Sequence, residues 1–488
     1  MSVDATNLLF ILGESHAPGL LGAVGNPYIH TPNLDALAAR GICFDAAYCA
    51  SPLCVPSRAA LATGRFPHQT GYWDSSMAYD GRIDSWMKRL REAGYRTAGI
   101  GKMHFRRDED DYGYSYTDET MHIAEGVGDV ISALRYVQQE PAYPGLWELW
   151  TTRHGVGESD PYRQYDERIT ASAVDWLRRE AAVGDQPWAL SVHPIAAHAP
   201  FVVPKQFLDL YDPEQIPPPI AFDPEQRPRH PSIEHLRSIV CHEEGLTLQQ
   251  VQCIRAAYFA TVSYLDAQIG RLLETLDNLN LTDSTRIVYT SDHGFSCGEH
   301  YLFGLFHLFE ESLGVPLIVA GPDIEPASNI SVPVSHVDLF PTLLESCGVM
   351  PDERDTDLYG ESLWPLIEAG NTERKPLVAE YHGTGTLSGG YVLREGDFKL
   401  IHFVDMEPQL YDLAADPAES RNLAKSRPER VDTMLRRLES WLDPATVDAR
   451  AKADQKALVE QHGGAQAALQ KFGGFSYSPP PGLNWRDM

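Results

Sequence analysis

The sequence predicts an α/β fold: a large, mostly parallel sheet sandwiched by helices, followed by a smaller C-terminal α+β subdomain. Three observations carry this reading. Short apolar runs alternate with helix-period segments from residue 7 to about residue 320. Those runs are apolar throughout, as strands buried on both faces must be. Beyond about residue 370 the alternation gives way to consecutive short strands.

In chain order, Asn7–Leu12 is the first such strand. Thr31–Gly41 reads as a short helix, with Thr31 as cap, Pro32 as first residue and Gly41 at the end. Pro56 can open a helix and Gly64 can close it. A helix over Ile83–Ala93 leads into a strand at Thr97–Ile100, and Trp188–Val192 is another strand. Thr247 caps a long helix that reaches about Leu279, with apolar residues at helical spacing. Arg286–Thr290 and Leu317–Ala320 are further strands. Lys375–Tyr381, Gly390–Leu393 and Lys399–Phe403 read as an antiparallel sheet on which a helix at Arg427–Leu442 packs. A polar, helix-like segment follows Ala445, and the end, Phe475 to Trp485, is rich in aromatics and proline. The expected division is 1–370 catalytic, 371–445 C-terminal subdomain and 446–488 tail. The tail is expected to cross to a neighbouring protomer of a homo-oligomer and wall its active site.

In sheets of this kind ligands lie off the carboxyl ends of the strands. Here the first strand runs into Glu14, Ser15 and His16. Thr97–Ile100 runs into Lys102 and His104, and Trp188–Val192 into His193 and His198. Arg286–Thr290 runs into Asp292 and His293. Four strands thus deliver charged or metal-binding groups to one rim.

Composition narrows the partners. Formal net charge is −28, from 40 basic and 68 acidic residues, which argues against nucleic acid or an anionic membrane. An anionic substrate would need a local cluster of Arg, Lys, His and metal to overcome that field. No leader is expected from the N-terminal residues, and no apolar run approaches membrane-spanning length. Seven scattered cysteines, an odd number, fit a reducing cytoplasm better than a disulfide framework. Cys43 and Cys49, flanking an apparent strand, read as packing residues.

The most specific stretch is Cys54-Val55-Pro56-Ser57-Arg58, running on to Gly64-Arg65. Residue 54 falls just before a helix N-terminus, where free N–H groups favour negative charge. Arg58, on the first turn, offers a two-pronged fork to a sulfate or phosphate. Taken alone, the stretch also reads as a buried cysteine beside a capped helix.

Together with Asn7–Glu14, Gly101–His104, His198–Phe201, Tyr258–Arg271, Ser291–Gly294, Gln409–Leu413 and Asp416–Leu423, this stretch resembles the type I sulfatases. These are the formylglycine-dependent branch of the alkaline phosphatase superfamily, and the resemblance is to the cytosolic choline-sulfatase and arylsulfatase-like groups. It implies an alkaline-phosphatase-like fold and hydrolysis of a small anionic sulfate monoester, aryl or alkyl, to alcohol and sulfate. It also implies that a formylglycine-generating enzyme oxidises Cys54, whose hydrated aldehyde attacks sulfur and then expels sulfate. A divalent cation assists, calcium in the first place, with manganese or magnesium as alternatives. Its ligands would be Glu14, Ser15, Asp292, His293 and residue 54. Arg58, Lys102, His104 and His198 would be the catalytic partners, His198 protonating the leaving oxygen or holding a sulfate oxygen.

Three departures stand out. Glu14 replaces the usual Asp, and Ser15 replaces Asp, Asn or Gln. Leu305 stands where relatives carry a sulfate-binding Lys, which leaves His307 to take that role or to pack. Trp73, Tyr143, Trp147 and Trp150 could line a leaving-group pocket, hold a quaternary ammonium or fill the core. The competing readings are a phosphonate monoester or phosphodiester hydrolase, a degenerate sulfate-binding protein without turnover, and Cys54 as an ordinary thiolate nucleophile.

Overall fold

The first strand, β1 (Asn7–Gly13), is the centre of the molecule, buried from Leu8 onwards. The computed structural model describes residues 6–134, 144–157, 159–181, 184, 186–240, 245–326, 328–369, 373–472 and 478–483. The other strands of the main sheet are β2 (Gly41–Phe44), β3 (Arg96–Lys102), β4 (Tyr116–Met121), β5 (Trp188–His193), β6 (Thr285–Ser291), β7 (Leu317–Ala320) and β8 (Ser328–Ile330). Their order is β8-β2-β7-β6-β1-β5-β3-β4. Every neighbouring pair is parallel except those of β7, which runs antiparallel to both β2 and β6. The sheet is therefore mixed and mostly parallel, as expected.

Local sequence explains the elements that position the site. Helix α1 (Pro32–Ala39) opens with its proline as predicted, but Thr31 does not cap it through its side chain. The helix also stops before Gly41, which begins β2 instead. A side chain there would meet the Val319 carbonyl of β7 at 2.4 Å, so close strand approach is the reason for the glycine. Helix α2 (Cys54–Thr63) includes Cys54 as its first residue, two positions before Pro56, where the sequence placed its opening. Gly64 closes it in the left-handed conformation at φ 67°, and its N–H donates to the Ala60 carbonyl. The long helix α3 (Leu248–Asn278) carries the predicted Thr247 cap, completed by Gln250 reaching back to the Thr247 N–H.

The C-terminal sheet has strands β9 (Leu377–Tyr381), β10 (Gly390–Glu395), β11 (Phe398–Phe403) and β12 (Gln409–Asp412) in sequential antiparallel order. Val378, Tyr391, Leu393 and Leu400 from this sheet pack with Ala60 of α2 and with the helix over Pro428–Trp441. The smaller sheet thus backs the helix that carries residue 54. The segment after Ala445 is helical from Pro444 to Gln461 and packs on its own chain. There Gln455 donates to Asp74 at 2.8 Å, and Trp73 donates to Asp454 at 2.8 Å. No helix among the described residues is long and apolar enough to cross a membrane.

Candidate active site

The four predicted strand ends meet. Ligand atoms of Glu14, Cys54, Asp292 and His293, all buried, lie within 4.8 Å of one another. Cys54 Sγ is 3.0 Å from Glu14 Oε1 and 3.2 Å from His293 Nε2. Glu14 follows β1, Asp292 and His293 follow β6, and Cys54 opens α2.

Arg58 ties the cluster together. Its Nε donates to Asp292 Oδ2 at 2.9 Å, its Nη2 to Glu14 Oε2 at 2.6 Å, and its Nη1 to the Lys102 carbonyl. Lys102 Nζ lies 2.9 Å from Glu14 Oε1. Ser15 enters through its backbone: its N–H donates to Asp292 Oδ1 at 3.2 Å.

The electrostatics follow from burial and pairing. Burial alone would raise the Glu14 carboxyl, but Lys102 and Arg58 outweigh it and hold Glu14 well below its ordinary range. Burial and the Glu14 charge push Asp292 up. Burial, again with Glu14 close by, pushes the Cys54 thiol well above its usual value. A thiol held protonated beside a carboxylate is a poor nucleophile, which argues against the plain thiolate reading. His104 is held well below the usual imidazole value, and His198 is lowered to about 3, in both cases by burial first and Lys102 second.

Hydrogen bonds assign the tautomers. His293 Nδ1 sits 2.7 Å from the Gly294 carbonyl, so Nδ1 carries the proton. Its Nε2 lone pair then faces Cys54 and the carboxylates, the form in which imidazole binds a metal. Two buried carboxylates, one bare imidazole nitrogen and residue 54 form a donor set that fits a divalent cation. Glu14 and Asp292 are already balanced by Arg58 and Lys102, so a cation would leave the site positive, as an anionic ester requires. His198 Nδ1 likewise faces the Ala199 carbonyl, which leaves its Nε2 unprotonated.

Lys102, His104, His198 and Cys54 line one pocket of about 80 Å³. Its remaining wall is largely apolar, including Leu53, Ile123, Leu149, Trp150, Leu305 and Phe306, with Asp129 and Ser478 as polar points. Of the four aromatics named from sequence, Trp150 lines this pocket. Trp73 packs edge-on against His382, Trp147 packs against Phe303, and Tyr143 lies outside the described residues.

Of the two alternatives for His307, its surroundings fit packing: it is not on the wall of this pocket. Its Nε2 pairs with Ser296 Oγ at 2.9 Å, and its Nδ1 accepts from the Phe309 N–H at 3.3 Å. Both nitrogens are spent on packing the loop. From the tail, Ser478 Oγ is 2.8 Å from His104 Nε2 of the same chain, and Tyr162 OH donates to the Ser478 carbonyl at 3.0 Å.

Sequence reasoning gave no role to several supporting residues. His193 Nδ1 lies 3.4 Å from Arg58 Nη1, and its Nε2 bonds Ser191. His336 Nδ1 lies 3.4 Å from Ser57 Oγ, beneath the first turn of α2. Tyr258 OH donates to the Ser15 carbonyl at 2.7 Å and accepts from the Ala17 N–H at 3.1 Å, clasping the loop after Glu14. His193 stands at a strand end and was visible as a rim residue; Tyr258 opens a segment quoted for its resemblance but was given no role, and His336 carries no motif.

Comparison with known proteins adds the following. The family model described as Sulfatase matches residues 6–349, and one described as N-sulphoglucosamine sulphohydrolase, C-terminal, matches residues 298–444. A choline-sulfatase of Rhizobium meliloti (strain 1021) is 32% identical over 446 residues, 88% of this chain and 85% of the relative. An arylsulfatase K of Danio rerio is 29% identical over 470 residues, 91% and 85% of the two chains. Among solved structures, a protein in complex with its substrate D-glucosamine-2-N,6-O-disulfate superposes with a TM-score of 0.74 at 25% identity, covering 90% of this chain and 99% of that one. A phosphonate monoester hydrolase of Agrobacterium radiobacter shares the fold, with a TM-score of 0.72 at 24% identity over 89% and 95% of the two chains.

Proposed function

This chain belongs to the sulfatase family, and from that premise we propose that residue 54, oxidised to formylglycine, is the nucleophile of a sulfate-monoester hydrolase whose centre is the cluster just described. The observation that carries the assignment is the meeting of Cys54 with Glu14, Asp292 and His293, delivered from distant parts of the chain. The cysteine Sγ marks the place that the oxygens of the hydrated aldehyde would take.

Glu14, Asp292 and His293 would hold a divalent metal, calcium in the first place, with Ser15 beside them. When bound, it would lower the pKa of the nucleophile's hydroxyl and neutralise charge on the sulfate. The chain's own groups do the rest. Arg58 fixes both carboxylates and, with Lys102, keeps Glu14 ionised. Lys102 and His104 face the pocket where sulfate oxygens would lie. His198 presents an unprotonated Nε2 in the free site, a place to hold a proton between nucleophile and leaving oxygen. The small, mostly apolar wall around Trp150 and Phe306 favours a compact aryl or short alkyl leaving group.

The C-terminal sheet, which buttresses α2, supports reading 1–370 as the catalytic part and 371–445 as its subdomain. Six described cysteines are all unpaired, which supports a reducing, cytoplasmic setting and maturation there by a formylglycine-generating enzyme. Assembly as a homo-oligomer remains part of the proposal, and sedimentation of the purified chain tests it.

The test of function has two readings. Peptide mass across residue 54 should show conversion of the thiol to the aldehyde. Turnover of an aryl sulfate should fall on chelation and return with calcium, manganese or magnesium, and should exceed turnover of the matching phosphonate monoester. A fully active chain with an unmodified Cys54 would refute the proposal.

A pH prediction follows from the histidines. Burial and Lys102 hold His104 and His198 below the ordinary imidazole value, His198 at about 3, and a bound cation would lower them further. His198 should therefore not ionise between about pH 5 and 8, where an ordinary histidine would near 6.5. kcat/KM should show no inflection there that His198→Gln removes. An inflection near 6.5 that disappears in that variant would contradict the assignment.

A further inference from the structure

A second cavity, of about 810 Å³, shares no lining residue with the pocket at Cys54. Its floor is aromatic: Tyr258, Phe259 and Phe295 are all buried, and Tyr28 stands at the mouth, 44% exposed. Its charged wall carries Asp45, Glu299, Glu310 and Glu311, with Arg255 as the cation among them.

These carboxylates are not equivalent. Glu299 is paired with Arg255, itself buried. Glu310 meets Lys399 Nζ at 2.7 Å and accepts from Tyr48 OH at 2.6 Å. Glu311 has no ion pair among the described residues. Its Oε2 is shut off from solvent and accepts no hydrogen bond. Burial and the neighbouring Glu299 and Glu419 push its carboxyl well above the usual range. Ionising this carboxyl on the cavity wall costs free energy that a cation brought into the cavity would offset.

We infer that this cavity is a second ligand site, for a protonated amine with an apolar body, its ammonium pairing with Glu311 and its body resting on Tyr258, Phe259 and Phe295. The chemistry selects the class. A carboxyl oxygen that accepts no hydrogen bond favours an ammonium that carries N–H groups over a quaternary one. The aromatic floor adds apolar burial and cation–π attraction. An anion, including the sulfate ester and its product, finds one cation on this wall, Arg255, and that is already paired with Glu299. A hard metal ion is not favoured, since the grouping of metal-type ligands found among the described residues is the one at Cys54. The site also touches the catalytic loops. Tyr258 on its floor clasps the segment after Glu14, and the Gly294 N–H donates to the Ser312 carbonyl, next to Glu311, at 2.9 Å.

Calorimetric titration of the full-length protein with phenethylammonium, phenylacetate and 2-phenylethanol tests this. Phenethylammonium should bind with one-to-one stoichiometry whether or not inorganic sulfate is present, and phenylacetate should not bind. Glu311→Gln, which preserves side-chain size, should weaken the amine at least tenfold while 2-phenylethanol binding changes little. Should that variant fail to fold by circular dichroism, Tyr28→Ala at the exposed mouth takes its place, with a threefold or greater loss expected. The inference is overturned if wild type does not bind the amine, if sulfate abolishes the heat, or if binding survives the variant that folds.

Discussion

Cys54→Ala should lower sulfate-ester turnover by ~10⁴-fold or more, the scale seen when a covalent nucleophile is removed. The fold should survive, because the thiol contributes one hydrogen bond to Glu14 and little volume, a loss of about 1 kcal/mol. Cys54→Ser separates the proposed chemistry from any simple nucleophile. A hydrated aldehyde has two hydroxyls, one to attack sulfur and one to collapse and expel sulfate. A serine side chain has only the first. The Cys54→Ser protein should release at most one equivalent of phenol from an aryl sulfate and end with one sulfuryl group on residue 54, visible by mass. Multiple turnovers by either variant, at more than about a hundredth of the wild-type rate, would show that the reaction runs through another group. Resistance of the unconverted thiol to alkylation near neutral pH is the companion observation, since burial and Glu14 keep it protonated.

How much of this was legible before the fold was known depends on the kind of residue. β1, β3, β5 and β6 were readable because a strand covered on both faces has no polar positions to obscure it. Their carboxyl ends then pointed to Glu14, Lys102, His193, Asp292 and His293 with no further information. β4, with the sequence Tyr116–Met121, was missed because it is an edge strand with an exposed, polar face. β12 was quoted for its resemblance, yet not read as a strand, because four residues carry too little periodicity. Gly41 was misassigned for a different reason: a glycine after a helical run looks like a terminator whether it ends the helix or admits a neighbouring strand. The functional alternative for His307 came from proximity in sequence. It lies two residues from Leu305, but its ring turns to Ser296 while Leu305 and Phe306 face the pocket. The Ser478–His104 contact spans 374 positions, and no local pattern announces it.

Arg58 illustrates how one side chain can hold both the fold and the chemistry, and its replacement is the second large expected effect. The guanidinium is 1% exposed and donates from three nitrogens to Glu14, Asp292 and the Lys102 carbonyl. Burial works against its charge, and Asp292 and Glu14 more than restore it, raising its pKa. Arg58→Ala would leave Asp292 without its ion-pair partner and Glu14 with Lys102 alone. Breaking a buried pair in this way costs ~3–5 kcal/mol, because the partner charge remains buried. The sign with pH follows from Glu14, whose carboxyl is held below its ordinary value. The stabilisation that pairing gives Glu14 is present above the unfolded carboxylate range and is lost as pH falls through the depressed native value. The variant should therefore lose most stability, relative to wild type, near neutral pH and least in acid. Turnover should fall at the same time by ~10²–10³-fold, the scale for losing one preorganised charge donor. Arg58→Lys discriminates between charge and geometry: an ammonium restores a positive charge but cannot reach three separated acceptors from one point. It should recover part of the melting temperature and little of the turnover. Should Arg58→Lys restore both, the fork geometry would not matter, and the view of Arg58 as the group that sets the spacing of Glu14 and Asp292 would have to be given up.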